Sequence, residues 1–324
     1  MEPSKENTAA PKTAFLFPGH TVKLGMGGLA PGLTPAVKAL YALGEKIFGR
    51  DLTGLMAGGP LEELRRTLNA QPAVFLAALA PFFDLAELGV RPAVAAGRSL
   101  GDFTAVTAAG ALTVEAALEV VKRRSEIFER AIARNPGRMS VFLGITEDQA
   151  RRACSEAAAE AGGTCVVAGV NTDSNFVVSG THAAVAAAER AARKLGAHIM
   201  DIAMPGPFHS PLMKEAEQEF GEYLEGVKFG EPAFPVVDDR SPSGFVQGAS
   251  GIRAFLISQI STAVDWRLRA GILRTAGVSV ICELGPSQGM ARITAASIPG
   301  CAWREVADRP QAADFAAAAR AGKL

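Results

Sequence analysis

PAVAAGRSLGDFTAVTAAGAL, residues 92 to 112, is the stretch whose reading decides the fold. Ala93 to Ala96 is a short apolar run, Gly97 to Gly101 a glycine-flanked turn, and the remainder has the pattern of a helix. A strand that turns tightly into a helix is a unit of an α/β domain with a parallel sheet. The turn itself, Gly97-Arg98-Ser99-Leu100-Gly101, fits G-x-S-x-G. Small glycines let the strand fold back so sharply that the Ser99 hydroxyl stands at the helix N-terminus, where free amides and the helix dipole favour negative charge. Ser99 is therefore a candidate nucleophile.

Working outward, TAFLFPG (Thr13 to Gly19) reads as a buried strand stopped by Pro-Gly. Helical patterns run from Thr34 to Phe48 and, with interruptions, from Leu61 to Leu88. From Met139 to Met204 the texture changes. SVFLGI, a helix over Glu147 to Ala161, TCVVAGV, NFVVSG, a helix over His182 to Leu195, and AHIMDIAM give the order β-α-β-β-α-β. That order predicts a small ferredoxin-like unit inserted in the larger domain. A helix from Ser210 to Leu224, a strand over Phe234 to Val237, a helix ending near Ile260 and a last buried strand, VSVICELG, follow. The expected architecture is a hydrolase-like large subdomain with a parallel sheet core (residues 13–137 and 206–324), a ferredoxin-like small subdomain (138–205), and a mobile N-terminal tail over residues 1–12.

Composition narrows the function classes. The 324 residues carry 33 basic and 33 acidic side chains, so the phosphate contacts of a general nucleic-acid binder have no basic excess to draw on. No stretch approaches the roughly 18 consecutive apolar residues of a membrane helix, and MEPSKENTAAPK lacks the apolar centre of a signal peptide. A cytoplasmic protein without membrane or nucleic-acid partners is expected. Cys154, Cys165, Cys282 and Cys301 share no C-x-x-C spacing and are expected to be reduced. No metal-binding pattern is present, and LGMGGLAPG (Leu24 to Gly32) is followed by no G-K-[ST].

A serine nucleophile needs a base, and the chain has four histidines. His182 opens a helix and His198 a strand, both structural positions. His209 lies in MPGPFHSPLM, a Pro/Gly-rich loop of the kind that holds catalytic groups; His20 follows the first strand.

Taken in order, these segments resemble the malonyl-CoA:acyl carrier protein transacylases and the related acyltransferases of polyketide synthases. FLFPGH is similar to the opening F-P-G-Q of that family, GRSLGDF to G-H-S-L-G-E, and VNTDSNFVVSG to N-x-x-x-Q-x-V-I-S-G. VVKRRSEIF matches a basic helix, PFHSPLM the histidine loop, QISTAVDW a stretch ending in tryptophan, and ELGPSQGM the closing E-x-G-P. The resemblance runs from about Thr13 to about Ile293 and implies a two-step acyl transfer. Ser99 attacks an acyl-CoA thioester with His209 as base, and the phosphopantetheine thiol of an acyl carrier protein then takes the acyl group. No metal or redox cofactor is needed.

The same resemblance assigns the other site residues. The backbone amides of His20 and Leu100 form the oxyanion hole, and the backbone carbonyl of Gln259 orients the histidine. Arg124 grips the free carboxylate of a malonyl group, a task suited to a planar guanidinium. Arg98, Asn171 and Phe208 line the pocket, with Phe208 crowding any α-substituent. Departures from the family pattern are Arg98 in place of histidine, His20 in place of glutamine, and Asp238 and Asp239 where asparagine is usual. The alternatives are an acyl-carrier-protein hydrolase of the same fold and transfer of a non-malonyl acyl group. Two basic groups are candidate docking patches for an acidic carrier protein: Arg190, Arg193 and Lys194, and Arg267, Arg269 and Arg274 on a late helix.

Overall fold

The computed structural model describes residues 11–28 and 32–324. Residues 1–10 of the expected tail lie outside the described residues, but Lys12 does not behave as tail. Its carbonyl accepts from the amides of Ser279 and Val280, at 3.0 and 3.2 Å.

Strand β1 (Thr13–Phe17) is central to the first sheet, with β2 (Val94–Gly97) on one side and β8 (Val280–Leu284) on the other. A further strand, β9 (Ala302–Val306), extends the sheet beyond β8, giving the order β2-β1-β8-β9 with all pairs parallel. β1, β2 and β8 are buried throughout, and so read as unbroken apolar runs rather than alternating ones, since helices cover both faces of a parallel sheet. The parallel arrangement brings the loops that follow β1, β2 and β8 to one edge, where α/β sheets bind ligands.

VSVICELG is the last buried strand, but β9 follows it. β9 was not expected because its pattern is mostly exposed: Trp303, Arg304 and Glu305 face outward and only Val306 is buried. Conversely, the strand expected over Phe234 to Val237 forms only two isolated bridges, Val236 to Ala95 and Val237 to Phe245. Pro235 within it has no N–H to give to a ladder, so the segment caps the edge of β2 through Ala95 N to Pro235 O and Val237 N to Ala95 O.

The second sheet contains β3 (Arg138–Leu143), β4 (Cys165–Thr172), β5 (Asn175–Gly180) and β6 (His198–Asp201) in the order β6-β3-β5-β4. Helices Glu147–Ala161 and His182–Lys194 complete the β-α-β-β-α-β unit. Thr146 and Gln149 form a reciprocal cap at the first of these helices, satisfying amides that have no carbonyl one turn earlier. Strand β7 (Val264–Asp265), from the far end of the chain, adds to the edge of this sheet parallel to β4. Two residues of strand are too short to register as a periodic pattern.

Helix Thr67–Glu87 is long and apolar enough, by length and composition, to cross a membrane. Of its most apolar 18-residue window, 89% is buried inside the fold, so it is the central helix of the core. The cysteines are free, three of them buried.

Candidate active site

β2 ends at Gly97, and the helix Leu100–Ala108 begins one residue after Ser99. The turn is possible only because its two glycines lack side chains. A Cβ at Gly97 would lie 2.0 Å from the carbonyl carbon of Gly101, and one at Gly101 would lie 2.1 Å from the Phe17 oxygen. Ser99 takes φ 56°, and the single other non-glycine residue with positive φ among the described residues is His209, at φ 58°. Each such residue costs about 1–3 kcal/mol and persists only where the surroundings impose it. The two strained residues face each other: His209 Nε2 is 2.9 Å from Ser99 Oγ.

The histidine is held from behind. Its Nδ1 is 2.7 Å from the carbonyl oxygen of Gln259, an atom that can only accept, so Nδ1 carries the proton and Nε2 presents its lone pair to the serine. The His209 amide donates to Ile260 O at 3.2 Å, and the Gln259 side-chain amide donates to Ser99 O at 3.1 Å. Burial pushes the His209 pKa down to about 4 against the raising effect of the Gln259 carbonyl, and the charges of Arg124, Arg98 and Arg240 push the same way as burial. At neutral pH the imidazole is an uncharged proton acceptor.

Arg124 is buried in the helix Val114–Arg134. Its Nη1 donates to Gln71 Oε1, and its Nη2 makes a long contact, 3.5 Å, with Ser99 Oγ. The guanidinium lies over the ring of Phe128, 4.1 Å from the centroid, and 5.1 Å from that of Phe103. Among the described residues its Nε has no hydrogen-bond partner, and no carboxylate lies within 4.0 Å of it. Burial lowers its pKa to about 9, so it stays charged at neutral pH. A buried cation without a carboxylate partner beside Ser99 is suited to receive an anion. Gln71 was not foreseen as a site residue. Its signal was an amide, one of two with Asn69, at the head of the apolar run of helix Thr67–Glu87, and its Nε2 bond to Thr67 Oγ1 turns Oε1 toward Arg124.

His20, Arg98, Ser99, Arg124, Phe208 and His209 line one cavity of about 460 Å³, with Asn171 on the small-sheet wall, a volume in the range of small-molecule sites. Phe208 stacks on Phe128 at 5.3 Å, and the His20 ring lies 5.6 Å from Phe208. Burial, reinforced by Arg124 and His209, lowers the His20 pKa to about 3. Leu100 occupies the first helical position, where an amide has no partner in its own helix. Among the described residues neither its N–H nor that of His20 donates to another part of the chain.

One assignment from sequence is corrected. Arg269, read as part of an exposed patch with Arg267 and Arg274, is fully buried beneath the nucleophile turn. It donates to Gly97 O at 2.5 Å, to Asp102 at 2.7 Å and to Asp239 at 2.8 Å. Arg267, two residues earlier, is drawn into ion pairs with Glu147, Asp173 and Asp265. Of the three, Arg274 alone is exposed and outside any ion pair among the described residues, and Asp239 pairs with Arg269.

Residues 15–241 match the family described as acyl transferase domain. The chain belongs to this acyltransferase family. The acyltransferase is 32% identical to the malonyl CoA-acyl carrier protein transacylase of Bacillus subtilis over 86% of its own length and 87% of that protein's. It is also 32% identical to a segment of the mycoketide-CoA synthase of Mycobacterium tuberculosis, over 97% of this chain and 8% of the synthase. Among solved structures it resembles the malonyl-CoA:acyl carrier protein transacylase of Xanthomonas oryzae, with a TM-score of 0.87, 31% identity, and coverage of 96% and 98% of the two chains. A malonyl-transacylase solved in complex with its type II polyketide acyl-carrier protein gives a TM-score of 0.87 at 30% identity, over 93% of this acyltransferase and 98% of that chain.

Proposed function

We propose that this acyltransferase moves a malonyl group from CoA to the phosphopantetheine thiol of an acyl carrier protein, in fatty acid or polyketide synthesis, through an acyl-serine on Ser99. In the first half, Ser99 Oγ attacks the thioester carbon while its proton passes to His209 Nε2. The carbonyl oxygen becomes an oxyanion facing the free amides of Leu100 and His20, and the C–S bond then breaks as His209 returns the proton to the departing CoA sulfur. In the second half the carrier thiol gives its proton to His209 and attacks the acyl-serine; the C–O bond to Ser99 breaks and His209 returns the proton to Ser99 Oγ. The Gln259 carbonyl keeps the histidine in the tautomer both halves require, where an esterase triad uses a carboxylate.

The observation that carries the malonyl reading is Arg124, a buried guanidinium with no carboxylate within 4.0 Å among the described residues, in contact with Ser99. A free carboxylate on the acyl group supplies its missing partner; a simple acyl chain leaves it unpaired. Phe208 and Asn171 shape the pocket around the acyl group. The carrier protein is proposed to dock at the exposed Arg190, Arg193 and Lys194 of helix His182–Lys194. A division into residues 13–137 with 206–324 and residues 138–205, a cytoplasmic location, and the lack of membrane and nucleic-acid partners belong to the same proposal, supported by the two sheets, the four free cysteines and the balanced charge.

Mass spectrometry after incubation with malonyl-CoA or acetyl-CoA, with and without a holo carrier protein, tests the proposal. A malonyl adduct on Ser99 that moves to the carrier thiol is expected, with none on Ser99→Ala. Release of free malonate in place of transfer identifies a hydrolase, and an adduct on a cysteine overturns the mechanism.

A further inference from the structure

We propose that Arg98 is a catalytic residue for the sulfur side of the transfer, its guanidinium holding the thiolate that leaves in the first half-reaction and attacks in the second. The inference rests on the acyl-serine reading above and adds a role which that reading leaves unfilled.

Arg98 directly precedes Ser99, and its side chain lines the same cavity. Among the described residues no carboxylate lies within 4.0 Å of it, and its hydrogen-bonding contact is Nη1 to the Met290 Sδ at 3.2 Å. A thioether is one of the weakest acceptors a protein contains, whereas a guanidinium carries five donors and a full charge. Most of the capacity of Arg98 is therefore unused, and the contact it does make is to sulfur. Burial lowers its pKa to about 10, so the charge is present at neutral pH.

The other charges borne by the reacting groups already have partners on this reading. Arg124 faces the acyl carboxylate, two amides face the oxyanion, and His209 takes the serine proton. Sulfur remains. When the C–O bond to Ser99 forms and the C–S bond breaks, the electron pair departs on sulfur, which is a thiolate until His209 returns the proton. In the second half the carrier thiol passes its proton to His209, the S–C bond forms, the C–O bond breaks, and Ser99 Oγ takes that proton back. A guanidinium beside the sulfur stabilises the thiolate in both directions, as neighbouring arginine lowers the pKa of a cysteine. The donor now resting on Met290 exchanges one sulfur for a better one.

The test measures Ser99 malonylation from a series of malonyl thioesters whose thiols range from alkyl, as in CoA, to acidic aryl thiols. Arg98→Gln is expected to slow malonylation from CoA by about 100-fold, the scale of losing one transition-state donor. The deficit should shrink below about tenfold with an aryl thioester, whose leaving group needs little help. Arg98→Lys should recover part of the CoA rate, and the malonyl-to-acetyl ratio should stay at the wild-type value in both variants. The same deficit along the whole series, or a changed acyl ratio with unchanged sensitivity to the thiol, overturns the role, placing Arg98 in bracing the turn or reading the acyl group. If wild-type Ser99 takes no acyl group from any of the thioesters, the acyl-serine reading itself falls, and this one with it.

Discussion

Replacing Arg124 with methionine removes a charge that the free protein bears at a cost and that, on the proposed malonyl reading, the loaded protein needs. The long unbranched side chain keeps packing against Phe128 and Phe103, so the substitution isolates the charge. In the free protein it strands no carboxylate, since none lies within 4.0 Å among the described residues. What is lost is the bond to Gln71 and the cation over Phe128, at 4.1 Å, together on the order of 1–3 kcal/mol. What is relieved is the burial of an unpaired cation, an effective penalty of several kcal/mol. The free variant should therefore unfold in urea at or above the wild-type midpoint. With malonyl-CoA the balance reverses, because the carboxylate enters the cavity without its partner. Truncating one side of a buried charge pair costs about 2–5 kcal/mol, and at 1.4 kcal/mol per tenfold the lower end is roughly 30-fold. Malonylation of Ser99, followed by quenched-flow mass spectrometry, should fall by at least that factor, while acetylation holds or rises and the preference inverts. Equal losses with both donors, or a clear drop in the unfolding midpoint, would show that Arg124 supports the fold rather than the carboxylate.

Other expectations follow from the same geometry. His209 titrates at about 4 in the folded protein, so its base form persists well below the ordinary histidine value of about 6.5. Acylation should be lost only as pH falls through about 4, and an acid limb of kcat/KM near 6.5 refutes the buried neutral imidazole. Gly101→Ala places a Cβ 2.1 Å from Phe17 O, and should abolish Ser99 acylation; a variant as active and stable as wild type would show that the turn has room. Arg269→Met leaves the buried Asp102 and Asp239 without their cation, and should cost about 3–5 kcal/mol in urea unfolding. A loss under 1 kcal/mol contradicts the bracing role. His20→Gln should keep most activity, because its proposed part in the reaction belongs to its amide. His20→Pro, which has no N–H, should lose about 3 kcal/mol of transition-state stabilisation, and equal defects in the two variants would mean that the imidazole itself acts.

Much of the candidate site was legible along the chain because its constraints are local. The turn at Ser99 requires glycine at 97 and 101 whatever surrounds it, and that demand is written in five residues. The small unit was legible for a related reason: its strands and helices each bury one face, and every element leaves its own period in the sequence. Elements without a period escaped. β9 is mostly exposed, β7 is two residues long, and the apolar run ending at Val237 contains a proline and reaches no further than two isolated bridges.

What the tertiary structure alone decided is which polar residues lie inside. Arg267 and Arg269 stand two positions apart on one helix, and nothing in the sequence tells the solvent-facing ion pairs of the first from the buried post that the second sets under Gly97. Gln71, Arg124 and Ser99 come from three separate helices or turns and meet only when the helices pack. Local periodicity follows from each segment's own need to hide apolar surface, and a short window of sequence carries it. The partner of a buried charge is set by contacts between residues as distant as Gly97 and Arg269, and only the folded chain brings them within hydrogen-bonding reach.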